Sequence, residues 1–270
     1  MILARTLTVA AILAAPVAAL ADPAGATDGA EAVEIPASVE YRDIVIDLGI
    51  GGRVQPTFEG SSDYEVLPYP LVGLRFLRLP VFGEVVSGRE RIFSIYPSIN
   101  FVRARDSDDA AYLNGLDDVD FAFELGPGVS LRSGPFRGFA EIRYGITGHN
   151  GFVGEAGLDY IVRPLDRLSI SAGPRVGFAS TEYMDTYFGI TPAESLASGL
   201  PAYDPDAGFK DVGIGSLVEY ELNEKVRLYA EGTWKRYVGS AADSPIVEAG
   251  SEDQFTIGIG ITYRFGLDLF

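Results

Sequence analysis

Few residues of this chain have the types and spacing for chemistry. One histidine, His149, stands against no cysteine in 270 residues, which excludes thiolate nucleophiles, disulfides and cysteine metal sites. His149 lies in "GHNG" with no serine or aspartate tied to it by a recognisable motif; as a general base it would serve an outer-surface hydrolase. Asp106, Asp108 and Asp109 form a polar cluster that reads as a solvated loop, suited at most to weak binding of a divalent cation. "GIGG" at 49–52 lacks the strand, turn and helix of a phosphate loop. No catalytic residue, metal site or cofactor is expected. What remains is a set of single charges set into apolar sequence: Asp47, Asp120, Glu124, Glu141, Glu155, Asp159, Glu219 and Glu231 beside Arg53, Arg75, Arg143, Arg175, Arg227, Lys235 and Arg264.

The elements that position these charges are strands. In "QFTIGIGITYRFGLDL" every odd residue from Phe255 to Leu269 is apolar, and every even one from Gln254 to Asp268 is polar or glycine. The same period of two runs through 119–131, 168–178 and 226–238, and with more noise through 42–55, 66–78, 91–103, 137–148, 151–163 and 209–222. Several of these strands are about twice the usual soluble length. A soluble sandwich would oppose its apolar face with lysine and glutamate, whereas here the opposing face is glycine, serine and threonine with isolated charges of both signs. The pattern predicts an all-β chain: a transmembrane, antiparallel, up-and-down β-barrel of about ten strands, twelve remaining open. The single charges then face a lumen too narrow for an aqueous channel, where they either pair with one another or line a small polar pore whose acidic excess favours cations. Lys210 and Arg236 fall on the lipid side at outer strand ends, where they snorkel or meet lipopolysaccharide phosphates.

Residues 1–21, with Arg5, an apolar run and a small-residue end, read as a signal peptide, and 22–40 as a flexible acidic periplasmic lead, leaving 41–270 for the barrel. The net charge of −17 argues against nucleic acid as a partner. The connections 132–136, 164–167 and 223–225 are short, and 56–65, 104–117, 182–208 and 239–252 are long, as periplasmic turns and outer loops should be. Two connections break the rule: 79–90 is long on the short side, and the turn at 149–151 is tight on the long side. Within loop 182–208, Thr191 as N-cap, Pro192 at the first helical position, Glu194 closing a capping box and Gly199 at the C-terminus predict one short helix. It must dock to persist, and Tyr183, Tyr187, Phe188, Leu196 and Leu200 supply the apolar surface, making the loop a lid.

The stretches "YMDTYFGITPAESLASGLPAYD", "GFKDVGIG", "AADSPIV" and the terminal strand through "YRF" resemble the MipA/OmpV family of Gram-negative outer-membrane proteins. The chain departs from that pattern by continuing with Gly266 to Phe270, so the aromatic signal read by the insertion machinery falls on Phe270 or on Tyr263 and Phe265. The resemblance implies an outer-membrane location, contact with lipid and lipopolysaccharide, and a non-enzymatic scaffold joining a murein-degrading lytic transglycosylase to a murein-synthesising penicillin-binding protein. Other members are described as porin-like, so a narrow diffusion channel gated by loop 182–208 is the alternative, and a hydrolase the third reading. No family site maps onto named residues.

Overall fold

The computed structural model describes residues 43–79, 83–86 and 92–268, the side chains of 74–79 and 83–86 excepted. The signal peptide, the acidic lead, the Arg75 side chain and Phe270 lie outside the described residues. Every expected strand is present: β1 (Ile44–Pro56), β2 (Tyr64–Leu79), β4 (Phe93–Val102), β5 (Ala122–Ser133), β6 (Phe136–Gly145), β7 (Phe152–Leu165), β8 (Leu168–Ala179), β9 (Gly208–Glu221), β10 (Val226–Tyr237) and β11 (Asp253–Leu267). The long connection on the short side holds one more, the four-residue β3 (Gly83–Val86), which folds back on the lower end of β2.

The strands form one antiparallel sheet in the order β3-β2-β1-β11-β10-β9-β8-β7-β6-β5-β4. β1 is joined to β11 by a continuous register from Ile44↔Leu267 to Val54↔Ile257, which closes the first strand on the last. The sheet curls until the outer parts of its two edges approach through side chains. There Arg103, just past β4, donates to the Thr57 carbonyl at 2.7 Å and pairs with Glu65 of β2 at 3.2 Å, and Phe101 packs against the cluster of Tyr69, Leu71 and Tyr229. Among the described residues no ladder joins β2 to β4, so this seam is held by side chains.

Alternation sorts the two faces as expected. Ile50, Ile214, Ile257 and Ile259 are each more than half exposed on the outside, an apolar belt that is stable in lipid and a liability in water. Asp47, Glu124 and Asp159 are no more than 1% exposed inside. Inward glycines let the narrow wall bend: a Cβ on Gly173 would lie 1.7 Å from the Leu158 carbonyl oxygen, and one on Gly126 1.9 Å from that of Ile142.

Two expectations about facing fail, each for a local reason. Lys210 does not face lipid. The β8–β9 register slips between Gly177↔Asp211 and Phe178↔Phe209, and this bulge leaves Lys210 as an extra residue turned inward beside Asp211, which keeps the regular inward parity; the two are 5% and 1% exposed. Asp120 does not face the lumen. β5 begins two residues later, at Ala122, and Asp120 stays exposed in the preceding loop while its neighbour Val119 is drawn into a core above the barrel.

Replacing Gly173 by alanine forces two adjacent backbones apart and should cost about 1–3 kcal/mol. A urea titration of the refolded barrel followed by Trp234 fluorescence would read this as an earlier unfolding midpoint, with Gly138→Ala in β6, where a Cβ meets nothing, as a control for insertion into crowded wall against open space.

Candidate functional site

The outer loops build a small globular cap over the barrel mouth. Loop 180–207 carries two helices, α1 (Thr181–Phe188) and α2 (Pro192–Ser198), and the loop after β10 carries a third, α3 (Pro245–Ala249), so the single expected helix is one of three. The cap has its own apolar interior. Tyr183, Met184, Tyr187 and Phe188 of α1 are all buried and pack with Val119, Val153, Tyr237 and Val247. A second cluster gathers Phe58, Leu113, Leu116, Ile190 and Ile246 from four different loops. Burial of this order, drawn from segments far apart in sequence, holds short helices that would not persist alone.

α2 forms by the expected chemistry and docks by an unexpected one. Thr191 Oγ1 accepts the Glu194 N–H at 3.3 Å, Glu194 Oε2 accepts the Thr191 N–H at 2.8 Å, and Gly199 closes the helix at φ 82°. Yet Leu196 is 91% exposed, and no residue of α2 is buried. The helix is tethered instead by Glu194 Oε1, which accepts the Asp117 N–H at 2.9 Å, and by backbone contact with Gly115. Although its partial burial works the other way, these hydrogen bonds hold the Glu194 carboxyl below the usual carboxylate range. The docked helix is α1, whose C-terminal carbonyl at Tyr187 accepts from the buried Arg105 guanidinium at 2.9 Å. Burial pushes the Tyr183 hydroxyl far above its usual range, so it stays neutral.

Beneath α1 the lumen is filled by ion pairs. Glu124 accepts from Asn100 at 3.0 Å, from Arg143 at 3.1 Å and from His149 at 3.2 Å. Glu141 takes Arg143 at 2.8 Å together with the hydroxyls of Tyr96 and Ser98. Asp159 lies between Arg137 at 2.6 Å and Arg175 at 2.5 Å, and Glu155 between Arg175 at 3.7 Å and Lys235 at 3.1 Å. Arg53 reaches Glu231 at 2.5 Å. At the periplasmic end Asp47 meets Arg264 and Arg227, and Arg227 also meets Glu219 and Glu221. The lumen charges expected from the sequence are therefore brought together in pairs, Asp120 and the undescribed Arg75 side chain apart. Glu59, Arg137, Lys210 and Asp211 belong to the network as well and were not expected in it; of these Arg137 and Asp211 lie on the inward parity of a readable strand.

His149 is no surface base. It is 4% exposed, with its ring packed edge-on against those of Tyr183 and Tyr187 at 4.9 and 5.6 Å. Its Nδ1 accepts the Gly151 N–H at 3.1 Å, so the proton sits on Nε2 and points to Glu124. Arg236 keeps its place at the outer rim but is engaged by Glu252 and Asp253 of its own chain at 2.5 and 2.7 Å. Tyr263 and Phe265 pack with tilted rings 4.9 Å apart on the outer face of β11.

A family model described as MltA-interacting protein MipA matches residues 48–265, most of the chain. The chain belongs to the MipA family. Within it, the protein is similar to YiaT of Escherichia coli strain K12, assigned by name to the outer membrane, and to its counterpart in strain O157:H7; each is 30% identical over 121 residues, 44% of this chain and 47% of the relative. The match thus spans about half the length of those relatives. Among solved structures, the neisserial surface protein NspA aligns over 82% of this chain and 97% of its own at 8% identity and a TM-score of 0.27. The outer membrane protease OmpT of Escherichia coli aligns over 82% and 96% at 11% and 0.31. This MipA-family barrel is an outer-membrane protein.

Two outcomes test the cap. Arg105→Ala leaves the α1 carbonyl without its buried donor and should weaken the cap by about 1.5–3 kcal/mol, seen as faster hydrogen exchange at 181–188 while strand amides keep their protection. Because the Glu194 carboxyl is held down in the folded state, its stabilisation is present above the ordinary carboxylate range and is lost as pH falls through its lowered value. Exchange in α2, corrected for intrinsic rates, should therefore rise on acidification in the native chain, and Glu194→Gln should abolish that dependence.

Proposed function

We propose that this barrel is a non-enzymatic envelope scaffold that links murein-synthesising and murein-degrading enzymes on the periplasmic side. The observation that carries this reading is the double closure of the interior, by paired charges along its length and by the apolar cap at the outer mouth. A lumen so filled directs function to surfaces. The family description names an interaction with MltA, and a lytic transglycosylase and a penicillin-binding protein are the partners assigned here. Burial of His149 against two tyrosines, with its one proton committed to Glu124, argues against the hydrolase reading. In-cell crosslinking followed by capture of the barrel should recover a lytic transglycosylase and a penicillin-binding protein, and recovery should fall when the periplasmic turns at 134–135, 166–167 and 223–225 are replaced together. Recovery of neither enzyme would sink the proposal.

A narrow channel gated by loop 182–208 is the second reading, favoured by the charged cluster kept under a cap made only of loops. Since α1 is the buried helix, Tyr183→Ala with Tyr187→Ala is the informative change. Conductance steps that appear in a planar bilayer only with the double variant would support a gate; silence from both forms would leave the interior closed.

A further inference from the structure

The seam between β2 and β4 is written into the sequence by proline. Backbone groups point alternately to the two sides of a strand, so one ladder bond fixes the parity of a whole edge. The Thr57 N–H donates to the Asp63 carbonyl, and the Arg132 N–H to that of Ile92. With the registers of β2 on β1 and of β4 on β5, the backbone groups turned toward the seam belong to the even residues from Tyr64 to Val72 and the odd ones from Phe93 to Phe101. Pro68 and Pro70 are among the first and Pro97 among the second. Proline has no N–H to donate, so three bonds of a β2–β4 ladder cannot form in any register, while the ladders to β1 and β5 lose nothing.

Phe101 stands in this gap. Its ring lies 5.3 Å from that of Phe123, on the outward parity of β5, and it also packs on the cluster of Tyr69, Leu71 and Tyr229 inside the barrel, which Leu217 joins. That cluster is an apolar patch amid the ion pairs of the lumen. On the outside the seam is flanked by Val66 and Ile95, 74% and 65% exposed, which belong to the lipid-facing belt.

We propose that the β2–β4 seam is a lateral portal that parts toward the bilayer and admits a lipid acyl chain, which replaces the Phe101 ring against Tyr69, Leu71, Leu217 and Tyr229. Among the described residues, opening here costs side-chain contacts only: those of Arg103 with Glu65, Asp109 and the Thr57 carbonyl at the outer end, and the packing of Phe101. The occupant follows from what adjoins the seam. The lipid belt runs up to both of its edges, and an acyl chain needs the apolar contact that the inner cluster offers and no hydrogen-bond donor. A strand from a second copy or another protein would need the donors that the three prolines withhold. An interior closed along its axis by ion pairs and cap thus has an entrance from the side, whatever the barrel binds in the periplasm.

Trp234, the chain's one tryptophan, lies on the outward parity of β10, which allows a test by contact quenching. On a Trp234→Phe background, Tyr69→Trp places the reporter inside the barrel behind the seam and keeps an aromatic ring under Arg53, now 4.5 Å away. Phe139→Trp places it inside behind β6, which is laddered on both sides, under Arg175 at 4.8 Å. The full chain is reconstituted in phosphatidylcholine vesicles whose acyl chains carry bromine. The reporter at 69 should lose nearly as much fluorescence as Trp234 does in the native chain, and the reporter at 139 little. Pro68→Val, Pro70→Val and Pro97→Val together restore the missing donors and should bring the reporter at 69 down to the level of that at 139. Should these variants fail to fold, crystals of the native chain grown in a lipid mesophase decide the matter, since an acyl chain is expected between β2 and β4 with Phe101 displaced. Equal quenching at 69 and 139, quenching at 69 that survives the three proline replacements, or a seam holding Phe101, water or a neighbour's strand in those crystals would overturn the proposal.

Discussion

The Glu124 carboxylate is where barrel and cap become one structure. It sits fully buried on β5 and accepts from Asn100 of β4, from Arg143 of β6 and from His149 in the β6–β7 loop. The first two partners tie neighbouring strands from the inside, and the third reaches up into the aromatic packing of α1. An ionised carboxylate in so dry a place is tolerable only because all three donors are present, and losing one leaves a charge that the surroundings cannot solvate. The positions of α1, of the 146–151 loop and of the upper lumen are therefore set together. The cap is less a separate lid than the top layer of the same polar network, covered by an apolar one.

That layering follows from the two solvents the chain meets. Inside the bilayer span, each backbone group must find a partner within the wall and each inward charge must find one across the lumen. Above the span, water is available again, and the loops behave as a small soluble domain, burying tyrosine, phenylalanine and isoleucine against one another. Arg105 marks the boundary condition for the cap: a charge buried among apolar side chains, justified by the helix end it satisfies.

The strands and most of the lumen were legible because period two is imposed on every residue of a wall with lipid on one side. Ten strands, the short periplasmic turns and the pairing of charges such as Arg53 with Glu231 all follow from that one rule. Where the rule is locally suspended, reading fails. A bulge is silent in the sequence, so Lys210 kept the wrong parity, and Asp120 was carried along by an alternation that continues past the end of its strand. In the cap the reverse holds. The capping box at Thr191 announced α2 from local hydrogen bonding alone, while α1, without a side-chain hydrogen bond at its N-cap, left only the fourfold spacing of Tyr183 with Tyr187 and Met184 with Phe188. The helix with the louder local signal is the one with no buried residue, because capping reports how a helix starts and says nothing of what it packs against.

Among the described residues, the wall's gap in hydrogen bonding and its gap in covalent continuity lie in different places. β1 and β11 are separate in sequence and fully laddered, whereas β2 and β4 are unladdered but linked through the chain that carries β3. Opening the chain at that linker and joining β11 to β1 by a new peptide would leave the pattern of strand pairing unchanged. Mechanically the seam behaves as a tethered joint: its edges can part without any ladder being broken, but only as far as the linking peptide reaches, so the circumference of this barrel has a built-in limit to its stretch.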